Sequence, residues 1–137
     1  MLSPNWDMFR LFLHVLAASV WVGGQVTLAG VVPVLRRRQL DMAVRLAARG
    51  FARVAWPAFG VLVLTGMWNL VEVDITDTTS AYQQTLLLKI LLAAASGAAA
   101  AVHAVGRSKL ALAIGGAVGL LAALGAMLCG YLLTAGS

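Results

Sequence analysis

His14, Lys89 and His103 stand in stretches of sequence that are otherwise almost wholly apolar. Ionisable groups are costly in such surroundings, so each is a candidate for chemistry. A neutral imidazole ligates haem iron, copper or zinc. A lysine there has two roles open to it: an amine ligand, or a cation that pairs with an anion such as a haem propionate. Met67, Met127 and Cys129 add soft sulfur, which suits Cu(I). With His14 they make a copper set, whereas His14 with Lys89, Trp21 and His103 makes a haem set. Each also has a plainer reading: Lys89 reaches for the headgroups, His103 makes one polar contact, and the sulfurs fill core.

Helical phase sharpens the choice. His14, Trp21 and Gln25 follow at steps of seven and four and so share a face. Lys89, Ser96 and His103 share another by sevens. His14 lies eight residues past Trp6, about 12 Å along a helix, and Lys89 five past Gln84, about 7–8 Å. Both depths fall in the outer third of a bilayer. His103 is about 21 Å further along, near the opposite interface, so a bis-histidine site within one chain is disfavoured.

The elements that must hold these residues follow from composition. The chain has 137 residues, of which 61% are hydrophobic and 11% charged. Its mean hydropathy is +0.91. A soluble domain carries about 25% charged residues. This chain could not cover an ordinary core with polar surface, so the membrane class is expected. A hydrocarbon layer of about 30 Å needs roughly 20 apolar residues as helix. Four stretches qualify, at about 9–35, 54–71, 85–105 and 110–133. The expectation is an all-α integral membrane four-helix bundle, a single domain over 1–137. The first stretch lacks a basic start and is too long for a signal peptide, so it reads as a retained span.

Basic residues set the direction. Arg36, Arg37, Arg38, Arg45, Arg49 and Arg53 crowd the first connection, and Arg107 and Lys109 the third. The second connection holds Glu72, Asp74 and Asp77 and no basic residue. The basic loops are therefore expected in the cytoplasm and both termini outside, in a plasma membrane. Leu40, Val44, Ala47 and Phe51 recur at helical spacing. Residues 39–52 thus read as an interfacial helix or as an extension of the second span. The expected partner of this charge is anionic lipid; nucleic acid is not expected, because no aromatic platform accompanies it. Gly115, Gly119, Ala122 and Ala126 form a small-residue stripe. It serves close packing within the bundle or a homodimer or larger complex. A non-catalytic subunit of such a complex is the third functional reading; whether the chain is an enzyme stays open.

At these residues the sequence resembles a known group. "LHVLAASVWVGG" is similar to the first span of CopD-type copper-resistance membrane proteins and to the His-then-Trp span of the related HemJ-type protoporphyrinogen oxidases. "TLLLKILLAAASGAAAAVH" resembles the third span of both, and "WPAFGVLVLTGMWNL" the second. The HemJ likeness implies haem b as the lead cofactor, with His14 and Lys89 at the required positions. The CopD likeness implies copper handling.

Overall fold

The computed structural model describes residues 3–136. The chain forms four long helices, α1 (Trp6–Arg37), α2 (Asp41–Glu72), α3 (Ser80–Val105) and α4 (Lys109–Ala135), with one short 3-10 turn at Ile75–Asp77. There is no strand among the described residues. All four helices are long and apolar enough to cross a membrane. Large apolar side chains line their outer faces, Leu64, Leu110 and Leu121 each being more than two-thirds exposed. Such a surface would aggregate in water and is matched by lipid. The chain is an all-α, multi-pass membrane protein.

Contacts group the helices into two hairpins, one ending at Val73 and the other beginning at Asp74. In the first, Asn5 starts α1 by accepting from the Met8 amide at 2.8 Å, which satisfies one of the amides that a helix start leaves bare. Only Arg38–Leu40 separates α1 from α2. The Leu40 amide reaches back to Leu35 O and the Gln39 amide to Arg36 O, each at 3.0 Å. That six-to-one and five-to-two pair is the Schellman ending. It needs a left-handed residue, and Gln39 supplies it at φ 59. Glycine is the usual occupant because a Cβ makes this conformation costly.

The arginine-rich segment is not a separate element. Residues 41–72 form one continuous helix, so the extension is the form that this stretch takes. Its 32 residues span about 48 Å, well beyond a hydrocarbon layer. Pro57 lies inside it. A proline removes one amide from the ladder, a loss that a long helix with packed neighbours survives. The two helices are held along a seam. The Phe51 ring lies over Gly24, in space that any side chain there would need. Next comes an aromatic cluster in which Trp21 stands 4.5 Å from Phe59 and 5.6 Å from Trp56, centre to centre.

The second hairpin is built differently. Thr79 and Ser108 cap α3 and α4 through their hydroxyls. Leu92, Ser96, Ala99 and His103 step by four and three along α3, and Leu112, Gly115, Gly119 and Ala122 by three and four along α4. Steps of three and four place these residues on one face of each helix, and the two faces meet at Ser96 and Gly119 and at His103 and Leu112. A Cβ on Gly115 would fall 3.1 Å from Ala99 O and 3.2 Å from His103 Cβ. Gly115 and Gly119 of the glycine–alanine stripe are therefore engaged within the chain, by α3.

Candidate functional site

His14 is half-buried on α1 and faces α2, where its Nδ1 lies 2.9 Å from the Thr65 hydroxyl. Thr65 is buried, and its hydroxyl also approaches Val61 O at 2.7 Å. Beside it Gly66 leaves room for the ring: a Cβ there would stand 3.5 Å from His14 Cε1, in ordinary contact. One turn toward the N-terminus, Arg10 lies on the same face of α1. Its Nη2 is 3.3 Å from Asp7 and its Nη1 3.8 Å from Glu72. The guanidinium also covers the Trp68 ring at 5.9 Å, and Trp68 donates to Glu72 at 3.2 Å. A polar ladder thus runs along the first hairpin, from carboxylates at its end, through a guanidinium, to an imidazole among apolar residues. Trp21, two turns beyond His14, is fully engaged in the aromatic cluster.

On the second hairpin all three polar residues of the α3 face point at α4, as their phase requires. Lys89 is half-buried and lies against Gly130, where a Cβ would come 3.2 Å from Nζ. Gly130 directly follows the buried Cys129. Ser96 donates to Gly119 O at 2.9 Å. His103 Nδ1 is 2.6 Å from Leu112 O. A carbonyl only accepts, so this ring carries its proton on Nδ1 and clasps the two helices.

The sulfurs do not gather on one side. Met67 follows Thr65 by two residues, which is about 200° around the helix. It projects from the far side of α2 from His14 and is 60% exposed. Met127 stands in the same relation to Cys129, exposed where Cys129 is buried. Among the described residues no three His, Cys, Asp or Glu side chains come close enough to hold a metal together. Two surface clefts on the second hairpin, one of about 390 Å³ beside Gly115 and a smaller one beside Thr79, are lined by neither Lys89 nor His103.

Two members of the ladder escape a reading of the sequence. Thr65 is the sole hydroxyl between Val54 and Val71, which is the available signal. Arg10 precedes His14 by four residues and so shares its face, yet counts toward topology if only loop charge is weighed.

The short turn that precedes α3 carries acid of its own. Asp74 accepts from the Thr76 amide and hydroxyl at 3.1 and 2.6 Å. These bonds favour the carboxylate and hold Asp74 below its ordinary value of 3.8.

A family model described as copper resistance protein D matches residues 45–135. That range takes in most of α2 and all of α3 and α4. It leaves out α1, which carries the stretch "LHVLAASVWVGG". No curated protein and no solved structure gives a significant match.

Proposed function

This chain belongs to the copper resistance protein D family, and we propose from that membership that it handles copper ions at the membrane, as cargo rather than as a resident cofactor. The family match is the observation that carries the reading. It puts copper ahead of haem b, the reverse of the order that the sequence suggested. His14 is the residue to which we assign the ion. Imidazole is a borderline ligand that serves both copper oxidation states. A single imidazole ligand holds an ion weakly, which suits cargo that must leave again. Cys129 is the softer donor, but Lys89 sets a cation beside it, so the second hairpin is the poorer copper site and Lys89 fits an anionic partner. Trp21 and His103 serve packing in this reading. Met67 and Met127 face away from the candidate donors on their own hairpins.

In the same proposal the basic residues of the first and third connections face the cytoplasm and both termini lie outside. The ladder of Asp7, Glu72 and Arg10 then opens outward. Labelling of Ser80→Cys by a membrane-impermeant thiol reagent tests this. Labelling in intact cells is expected, and labelling only after lysis overturns it.

For copper itself, the detergent-purified protein is titrated with copper(I) against a competing chelator. The wild type is expected to bind and His14→Ala to lose most of that binding while remaining folded. An unchanged affinity in His14→Ala removes His14 from the site. A visible spectrum with a Soret band would restore haem b, and neither metal nor haem would favour the accessory-subunit reading.

A further inference from the structure

Thr65 Oγ1 makes three short approaches: 2.7 Å to Val61 O, 3.2 Å to Leu62 O and 2.9 Å to His14 Nδ1. A hydroxyl has one proton and two lone pairs. Both carbonyls only accept. Two oxygens held 2.7 Å apart with no proton between them repel, and that distance is the usual length of an O–H···O bond. The proton therefore points at Val61 O, along the backward bond that threonine commonly makes inside helices. What the hydroxyl turns toward His14 is a lone pair. Nδ1 must then carry hydrogen and donate. A neutral imidazole has one ring N–H, so its basic lone pair sits on Nε2.

We infer that Thr65 is the positioning residue of His14: it fixes the Nδ1–H tautomer and the ring orientation, and makes Nε2 the nitrogen that meets copper. The copper half rests on the function proposed above; the tautomer half does not. Ligating histidines are commonly held this way, by an acceptor on the nitrogen that does not bind. Thr65 is suited to the task. Its χ1 is stiff, it is buried, and its proton is already committed to its own helix.

The test is nitrogen magnetic resonance of histidine-labelled protein under mildly alkaline conditions, where the ring is neutral. The signals that vanish in His14→Ala belong to His14. The wild type and Thr65→Ser are expected to show a protonated Nδ1 and a bare Nε2. Thr65→Val, which keeps the shape and removes the acceptor, is expected to show both tautomers in exchange. In the same proteins Thr65→Val should weaken copper(I) binding by on the order of tenfold or more. Thr65→Ser should restore it. An Nε2–H ring in the wild type overturns the inference, and does so even if Thr65→Val fails to fold. So does a Thr65→Val protein whose tautomer and copper affinity are both unchanged. If the wild type shows Nδ1–H but takes up no copper, the proposed function falls and the tautomer assignment stands.

Discussion

The two hairpins solve one problem, holding two apolar helices together, with opposite materials. The first uses bulk: Trp21, Trp56, Phe59 and Phe51 fill the space between α1 and α2. The second uses absence of bulk: Gly115 and Gly119 bring α4 against the backbone of α3. The polar chemistry differs accordingly. Where helices approach closely, backbone carbonyls come within reach, and Ser96 and His103 bond to Gly119 O and Leu112 O. Where large rings hold helices apart, polar side chains find one another instead, as His14 finds Thr65 and Arg10 finds Glu72. A carbonyl fixes a histidine's proton and is itself immovable. A hydroxyl can be exchanged for another acceptor by a single substitution. The first hairpin is thus the one whose histidine meets a side chain, and the second the one whose histidine meets a backbone carbonyl.

The contrast can be broken from either end. The largest effect is expected for Trp21→Ala, which empties the aromatic cluster. Loss of a buried indole costs about 3–5 kcal/mol. Unfolding in mixed detergent should shift by that scale, with loss of the near-ultraviolet dichroism of the clustered rings. A shift under a third of it would show that rings do not hold the first hairpin. Next is Gly115→Ala. Its methyl would stand 3.1 Å from Ala99 O and 3.2 Å from His103 of α3, and overpacking of this kind costs about 1–3 kcal/mol. The readout is opening of the whole hairpin: the buried Cys129, about 21 Å along α4 from Gly115, should become open to alkylation. An unreactive Cys129 would mean that the hairpin tolerates bulk after all.

Ser96→Ala should cost less, about 0.5–1.5 kcal/mol for the hydrogen bond to Gly119 O, since that carbonyl keeps its place in its own helix. Equilibrium unfolding of the pair Ser96→Ala and Ser96→Gly separates the bond from the packing, and equal loss in both assigns the whole effect to the hydroxyl. The smallest effect is outside the helices. The carboxyl of Asp74 is held low in the folded chain, so its contribution is complete above its ordinary value and is lost as pH falls through the depressed one. Acidification should therefore loosen the turn at Ile75–Asp77 in the wild type and leave Asp74→Ala unaffected. Amide exchange at Thr76 measures this, and an equal response in both proteins would sink it.

Much of this was legible in sequence, because it depends on local periodicity and bulk composition. Apolar runs of membrane length and few charges determine that the chain crosses a bilayer as helix, whatever packs on what. Seven-residue spacing determines that Lys89, Ser96 and His103 share a face, and small residues at three- and four-residue steps determine that α4 can be approached closely. The short connection at Arg38–Leu40 was less legible, since it turns on a left-handed Gln39 where glycine is the expected signal. Only the tertiary structure decided which face meets which. It paired His14 with Thr65, turned Met67 away from that pair, placed Lys89 against Gly130, and set Gly115 and Gly119 against α3. The reason is physical. The phase of a residue on its own helix is fixed by 3.6 residues per turn, but its partner depends on the register between two helices. That register is set by the sum of many weak contacts along the seam, none of which is visible in either segment alone.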